Sequence, residues 1–193
     1  MPRVKLFDEN EVLTKAIQLF WKQGYSATSI SDLVNHLGIN RASIYDTYGD
    51  KEQLFLKAFE HYRKTNTERI SEFFENEPNV KSGVKQLFEI AIKESVSDKD
   101  KKGCFVVNIT TELIPGDDIV QNLLIENRKT FTNLFYTYLK KGEEEGQIKK
   151  GKDLKSIASL LFTLYNGLKV VSKINPDKKE LMNSLNMALT LLD

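Results

Sequence analysis

The 193-residue chain is poor in cysteine, histidine and proline, of which it has one, two and four. A single cysteine cannot form an internal disulfide, so folding does not require an oxidising compartment. Two histidines and one cysteine are too few for an ordinary structural zinc site. We therefore expect no metal or other cofactor and a reducing, cytoplasmic location.

The chain also lacks a long apolar run and an excess of charge of either sign. Its longest uncharged stretch, residues 156–168, has 13 residues, fewer than the roughly 18 that a membrane-spanning helix needs. The first residues contain no apolar run typical of a signal peptide. Because 28 Lys and Arg balance 27 Asp and Glu, a uniformly basic nucleic-acid coat is excluded and a local basic patch is not. We expect a soluble protein with no membrane partner.

With so few prolines, apolar residues recur at helical rather than alternating spacing, which predicts an all-α protein. Glycine, proline and capping residues mark the helix ends. The predicted helices cover residues 8–23, 28–37, 41–48, 50 to beyond 70, 80–96, 103–114, 118–145, 152–174 and 178–192.

The second and third of these helices have the dimensions of a helix-turn-helix. Gly38 permits the backbone reversal between them, and we expect Thr28 to cap the first helix and Asn40 the second. The outer face of the second helix would carry Arg41, Ser43, Tyr45 and Thr47 beside the small Ala42, a surface that fits a major groove.

Two stretches around this pattern, GYSATSISDL from Gly24 and GINRASIYDTYGDKEQL from Gly38, resemble the DNA-binding domain of the TetR/AcrR family of bacterial transcriptional regulators. The resemblance covers about residues 8–60. It implies a three-helix N-terminal DNA-binding domain, residues 1–49, joined to a larger helical effector-binding and dimerisation domain, residues 50–193. It also implies a homodimeric, ligand-responsive regulator without enzymatic activity, a repressor that a small-molecule effector releases from palindromic double-stranded operator DNA.

Four residues, in the second helix of the helix-turn-helix and at its cap, are candidates for reading bases. The guanidinium of Arg41 can bond guanine O6 and N7 together, and Ala42 can contact a thymine methyl group. Ser43 and Asn40 can reach a base or a phosphate. The alternative for Arg41 is an ordinary solvated surface residue.

The resemblance assigns further residues to the DNA backbone. It implies phosphate contacts for Tyr45, Tyr48 and Lys51, and a contact of Thr28 with the backbone at a helix N-terminus. The alternatives are core aromatic residues for Tyr45 and Tyr48 and a solvated charge for Lys51. Residues 1–64 hold only 9 basic and 8 acidic residues, so we expect one such domain to bind DNA weakly and the dimer to be required.

Two cations, Arg3 and Lys5, precede the first helix. They could form an arm along the DNA backbone, but short cationic termini are commonly disordered, and we favour that interpretation.

The segment from Gly103 to Asn108, followed by Glu112 and Leu113, resembles a subgroup of the family that responds to drugs, quinones or reactive electrophiles. Cys104 stands at a predicted helix start after two lysines, which favours a thiolate sensor. The alternative is a small buried hydrophobic residue, which we favour. With Cys104, the candidate ligand pocket comprises Phe105, Asn108, Phe131, Phe135, Tyr138, Phe162, Tyr165 and Asn166, most of which we expect to be core packing.

The last two helices carry more apolar residues than one surface helix must bury. Pairing them with a second copy would form a four-helix bundle. The residues concerned are Ile157, Leu160, Leu161, Leu164, Leu168, Val171, Met182, Leu185, Leu189 and Leu192; the alternative for each is the core of its own chain. A rival function is a helical ligand-binding or thiol-based electrophile-sensing protein in which DNA binding is secondary or lost.

Overall fold

The computed structural model describes residues 7–193, so the candidate arm residues Arg3 and Lys5 lie outside the described part of the chain. Within residues 7–193 there is no β-strand, which confirms the all-α prediction. The helices are α1 Glu9–Gln23, α2 Ile30–Leu37, α3 Arg41–Tyr48, α4 Lys51–Asn76, α5 Val80–Ser97, α6 Phe105–Leu113, α7 Asp118–Glu144, α8 Leu154–Ile174 and α9 Lys178–Leu189, followed by a 3₁₀ turn at Thr190–Leu192.

Side-chain caps begin every described α-helix except α6, and the predicted cap of α3 is confirmed. Asn40 caps α3 by accepting a hydrogen bond from Ser43 N at 2.8 Å, and Asp50 caps α4 through Gln53 N at 2.8 Å. The predicted cap of α2 is wrong by one residue. Ser29, not Thr28, is the N-cap, and it forms a reciprocal capping box with Asp32.

One apolar cluster holds the N-terminal part of the molecule together. It joins residues of α1, α2 and α3 to Leu54, Phe55, Ala58 and Phe59 on the first turns of α4. We call residues 9–59 the head. Because α4 then runs on to Asn76, one continuous helix connects the head to the rest of the molecule.

The head cluster does not stop at α4. It also contains Phe105 and Ile109 of α6 and Val120 of α7, all at most 1% exposed. The Phe105 ring lies 5.9 Å from Trp21, 5.8 Å from Phe59 and 5.4 Å from Tyr62, measured between centroids. Helix α6 therefore completes the hydrophobic core of the head, and the domain boundary at residue 49 remains a prediction.

A second apolar cluster forms the rest of the molecule, which we call the body. It packs the C-terminal half of α4 with α5, α7, α8 and α9. Half of the residues predicted for a dimer interface are buried in this core instead, because they lie on the inward sides of their helices: Leu161, Leu168, Leu185, Leu189 and Leu192. Ile157, Leu164 and Met182 are half-buried against the same cluster.

The outward sides of α8 and α9 remain apolar. Leu160, Val171 and Ile174 on α8 are 44%, 45% and 79% exposed. Met187 and Leu191 near the end of the chain are 72% and 40% exposed. We call these five residues the open face. Among the described helices, α8 alone has the length and apolar composition to cross a membrane, and its inward side is packed in the body cluster.

Candidate DNA-binding surface and effector cavity

Helices α2 and α3 form a helix-turn-helix whose turn consists of Gly38, Ile39 and Asn40. Gly38 adopts the left-handed conformation with φ 70° and ψ 21°, which a glycine reaches without strain. Leu33 and Leu37 of α2 and Ile44 of α3 are at most 4% exposed and pack the two helices together. Packing of these apolar faces fixes which side of α3 points outward.

The outward side of α3 carries most of the predicted base-reading residues. Arg41 and Ala42 are exposed at its first turn, as is Asn40 just before it, and Ser43 is half-buried. The Asn40 Oδ1 atom is already used in the cap, so its amide group is the part that remains for DNA. The N-terminal end of α3 thus presents short side chains and one guanidinium, which suits entry into a major groove.

The two tyrosines of α3 differ in position. Tyr45 is 45% exposed, whereas Tyr48 is 3% exposed within the head cluster. Burial first, and then the charges of Glu9 and Asp8, raise the pKa of Tyr48 to about 12. Tyr48 therefore fits the core-aromatic alternative in this conformation, and Tyr45 alone of the pair is placed to reach a phosphate.

Lys51 and Thr28 hold the loop between α1 and α2. The Lys51 Nζ donates to the carbonyl oxygens of Tyr25 at 3.0 Å and Thr28 at 2.9 Å, and lies 4.3 Å from the centre of the Tyr25 ring. Thr28 is 1% exposed, and its hydroxyl donates to Gly24 O at 2.6 Å. An ammonium has three donors, so Lys51 retains one for DNA, whereas the Thr28 hydroxyl is enclosed.

The same loop also contacts a residue that the sequence placed only in the subgroup resemblance, without a role of its own. Glu112 of α6 accepts hydrogen bonds from Tyr25 N at 3.1 Å and Ser26 N at 2.6 Å. Glu112 thus holds backbone amides, and Lys51 backbone carbonyls, of the loop that precedes the helix-turn-helix. No local sequence signal indicated this contact, because Glu112 and Ser26 are 86 residues apart.

The predicted ligand residues do not converge on one pocket. Phe105 is buried in the head cluster, whereas Phe131, Phe135, Tyr138 and Tyr165 are at most 5% exposed in the body cluster. Tyr138 also donates to Glu77 O at 2.7 Å. Phe162 packs half-buried against the body cluster. As expected for most of this set, these aromatic residues pack the two cores.

The three polar candidates link α6 to its neighbours. Cys104 is 6% exposed at the N-cap of α6, and its Sγ lies 3.8 Å from Asn166 Oδ1. Asn108 donates to Lys102 O at 2.8 Å and accepts from Lys173 Nζ at 3.2 Å. The burial of Cys104 is what we expect if it is a small buried hydrophobic residue. Whether it reacts with electrophiles stays a prediction.

A cavity of about 570 Å³ lies where the head meets the body. Its walls come from α4, α5, the segment 98–103 and α8, and Trp21 of α1 contributes from the head. We call it the junction cavity. Its volume suits a small ligand, and none of the nine predicted ligand residues lines it.

Charge distinguishes this cavity from an ordinary apolar pocket. Its lining contains five cationic residues and two anionic ones. The cations are Arg69, Lys101, Lys102, Lys169 and Lys173. Glu94 lies 3.9 Å from Arg69, and Asp98 accepts from the backbone nitrogens of Asp100 and Lys102.

The geometry defines a class of protein: a DNA-reading head carried on a helical body with a cavity at their junction. Comparison with known proteins agrees. Residues 12–58 match the family model of bacterial regulatory proteins of the tetR family, and residues 82–187 match the tetracyclin repressor-like C-terminal domain. The chain belongs to the TetR family and is a ligand-responsive, DNA-binding transcriptional regulator.

Similar proteins cover the whole chain. An uncharacterised HTH-type transcriptional regulator of Bacillus subtilis, YezE, is 31% identical over 100% of both chains. The Escherichia coli transcriptional repressor ComR is 28% identical over 98% of this chain and 90% of its own. The structure of the TetR-family regulator CifR, a cysteine mutant with 26-base-pair operator DNA, superposes with a TM-score of 0.86 at 26% identity, over 99% of this chain and 100% of that one.

Proposed function

We propose that two copies of the chain pair through the open face and place their α3 helices in two major grooves of a near-palindromic operator, repressing transcription until an effector binds. The exposed face of α3 carries this proposal. It combines a guanidinium, a methyl side chain and a phenol on the outside with Ile44 and Tyr48 locked inside. Nothing in the packing of the head explains Arg41 or Tyr45, whereas a DNA groove does.

We assign sequence reading to the first turn of α3. Arg41 would bond the O6 and N7 atoms of a guanine, and Ala42 would contact a thymine methyl group. Asn40 and Ser43 lie beside them and would bond a base or a phosphate. Tyr45, Lys51 and the backbone around Thr28 would contact the phosphates and fix the register without reading sequence.

The weak charge of the N-terminal part favours a dimer. With 9 basic and 8 acidic residues over positions 1–64, which include the head, a single copy gains little from the release of counterions. Linking two heads makes the second contact intramolecular and raises affinity by a factor of about a hundred to ten thousand.

The open face is the part of the surface that suits this pairing. Its exposed apolar residues lie on α8, α9 and the 3₁₀ turn that follows, and contact of these residues with water is unfavourable. Gly167 lies on the same side of α8, where a side chain would meet nothing within 4 Å. A glycine weakens an exposed helix, and close approach of a second α8 accounts for it.

Effector release requires that ligand binding and head position be coupled. Helix α4 and the Glu112 contact join head to body, so a ligand that favours another orientation of α6 or α4 would alter the spacing of the two α3 helices. Operator affinity would fall by the difference in ligand affinity between the two conformations.

The names of similar proteins agree with this assignment. ComR is a transcriptional repressor, and CifR was captured on operator DNA. DNA as the partner implies a cytoplasmic location, and we assign no enzymatic activity. The rival of a ligand-binding or thiol-sensing protein that has lost DNA binding is not favoured, because α3 keeps an outward face with no other use in the chain.

The test is selection from a pool of random DNA duplexes by the purified protein. We expect enrichment of an inverted repeat, and loss of one preferred base pair per half-site when Arg41→Ala is used instead. Lys22→Ala, which removes an exposed cation at the far end of α1, is the matched control and should select the same repeat. Recovery of no common sequence by the intact protein would overturn the proposal.

A further inference from the structure

The junction cavity has an unusual composition for a pocket between helices. Four of its five cations form no ion pair among the described residues, since Arg69 with Glu94 is the one pair that involves a cavity residue. The carboxylate of Asp98 is occupied by backbone nitrogens. The cavity therefore keeps a surplus of positive charge that the chain itself does not neutralise.

Lys169 is one of the two half-buried cations of this set. It lies on α8, and its Nζ is 4.5 Å from the centre of the Tyr165 ring. Burial lowers its pKa, but Tyr165, Cys104 and Glu94 raise it by more, so the pKa rises overall and the ammonium stays charged. Glu94 also faces Arg69, and the two carboxylates of the lining stand against five cations. An anion in the cavity would supply the missing negative charge.

Two aromatic residues also line the cavity, and Lys102 Nζ lies 5.9 Å from the centre of one of them, Trp21. Trp21 of α1 and Tyr62 of α4 line the cavity, and their ring centroids are 6.0 Å apart at an interplanar angle of 76°. The indole Nε1 of Trp21 is buried and makes no hydrogen bond to any described group. Buried donors without acceptors are rare, so this donor would also gain from a ligand that brings an acceptor.

We propose that the junction cavity binds a small organic anion, with its carboxylate, sulfonate or phosphate group at Lys169 and Lys173 and its apolar or aromatic part against Trp21 and Tyr62. The proposal relies on the proposed function only in naming this ligand the effector. Because Trp21 belongs to the head and Lys169 to the body, such a ligand contacts both parts at once.

The segment that lines the cavity also leads to the head contact. Residues 98–103 enter α6 directly, and α6 ends beside Glu112, which holds the loop before the helix-turn-helix. An anion at Lys169 and Lys173 shares its cavity with Lys101 and Lys102 of this segment and would therefore act on the same helix that holds the head. This connection gives the ligand a route to operator release.

Two dyes that share one aromatic body test the proposal. Anilinonaphthalene sulfonate carries an anionic group, and phenylnaphthylamine is the same body without it. Titration of the intact protein follows dye emission and energy transfer from Trp21, the only tryptophan of the chain. We expect the anionic dye to bind at least about tenfold more tightly than the neutral one, as expected for a charged hydrogen bond.

Three variants locate the site. Lys169→Met keeps the apolar stem and should weaken the anionic dye about tenfold while leaving the neutral dye within about twofold. Thr65→Tyr places a ring at an exposed position of the lining and should weaken both dyes. Lys85→Met removes an exposed charge on α5 outside the cavity and should change neither. If Lys169→Met does not fold, judged by its thermal transition, Lys173→Met at the exposed edge replaces it.

Equal affinity for the two dyes would overturn the proposal. So would an affinity for the anionic dye that neither lysine variant changes. So would dye binding that Thr65→Tyr leaves intact. The effect of the anionic dye on the operator complex is measured separately. If the anion binds but does not release the operator, the anion site is supported and its role as the effector site is refuted. If the protein selects an inverted repeat but binds no anion, the proposed regulator is supported and the anion site is refuted.

Discussion

The head and the body bury their apolar surface in different ways. The body packs its cluster from its own helices and leaves the open face on α8 and α9 uncovered. The head cluster is completed by residues from outside the head, Phe105 and Ile109 of α6 and Val120 of α7. The uncovered face of the body suits the proposed pairing with another copy, and the shared cluster ties the head to α6. In the proposed regulation both features are needed, because pairing would fix the spacing of the heads and α6 would adjust it.

The largest loss of stability should come from truncating the α6 side chain that completes the head cluster. Phe105→Ala should lower the free energy of unfolding by about 3 to 5 kcal/mol, because Phe105 is fully buried against Trp21 and Phe59 of the head and against Tyr62 of α4. Urea unfolding followed by Trp21 fluorescence measures this loss. Phe135→Ala, equally buried in the body, is the matched control and should cost a similar amount. A head that keeps its stability and DNA affinity in Phe105→Ala would refute the dependence on α6.

Pairing through the open face is tested next. Val171→Glu should raise the dissociation constant of the dimer about a hundredfold, close to 3 kcal/mol, because two like charges would meet at a two-fold interface. Sedimentation equilibrium measures the change. Ile90→Glu places the same charge at a 43% exposed apolar position of α5 and should leave the dimer intact. A dimer that survives Val171→Glu would place the interface elsewhere.

The outward face of α3 should respond more mildly and without loss of stability. Arg41→Ala should weaken operator binding by about 1 to 3 kcal/mol and relax the choice of one base pair, since Arg41 is exposed and forms no part of the core. Fluorescence anisotropy with the selected duplex and single-base variants measures both effects. Equal losses on operator and random duplex would reassign Arg41 to the phosphates.

The contact between α6 and the loop of the head provides a finer test. Glu112→Ala should lower stability by about 1 kcal/mol, because it removes two hydrogen bonds to a carboxylate that solvent partly screens. Hydrogen exchange should show faster exchange of the Tyr25 and Ser26 amides. Thr111→Ala on the same exposed turn should leave both amides protected. Unchanged exchange in Glu112→Ala would mean that α6 does not hold the loop.

The smallest effect concerns the capping box of α2 and its pH dependence. Hydrogen bonds from the Ser29 side chain, and then from its backbone, lower the pKa of Asp32 below its ordinary value of 3.8. A folded-state pKa below 3.8 means that this contribution to stability is fully present above pH 3.8 and is lost as the pH falls through the folded-state pKa. Asp32→Asn should therefore be less stable than the original protein at about pH 6, and the difference should shrink as the pH falls below 3.8. A difference that stays constant on acidification would contradict this cause.

The sequence was sufficient for local features and insufficient for those that join distant segments. Asn40, Asp50 and the glycines mark helix ends through contacts within four residues, so the helices and the outward face of α3 were predictable. Thr28 and Ser29 are equally good caps by type, and the choice between them depended on packing. Leu161 and Leu160 are likewise alike in sequence, yet helix rotation buries one and exposes the other.

The junction cavity illustrates the opposite limit. Its walls combine Trp21 with Tyr62, Lys102 and Lys169, four residues widely separated along the chain. Lysines of this kind look like solvated surface charges in a sequence, and aromatic residues such as Phe131 look equally suited to a pocket or a core. The packing angles between α4, α5 and α8 decide which lysines and aromatic residues line the cavity.

The most direct test of the account compares a full inverted repeat with a single half-site, using the original protein and Val171→Glu. If the paired bodies supply the affinity that a weakly charged head lacks, the original protein should bind the full repeat at least about a hundredfold more tightly than the half-site. Val171→Glu should bind both duplexes with the same weak affinity. A monomeric Val171→Glu protein that retains tight binding to the full repeat would contradict the account.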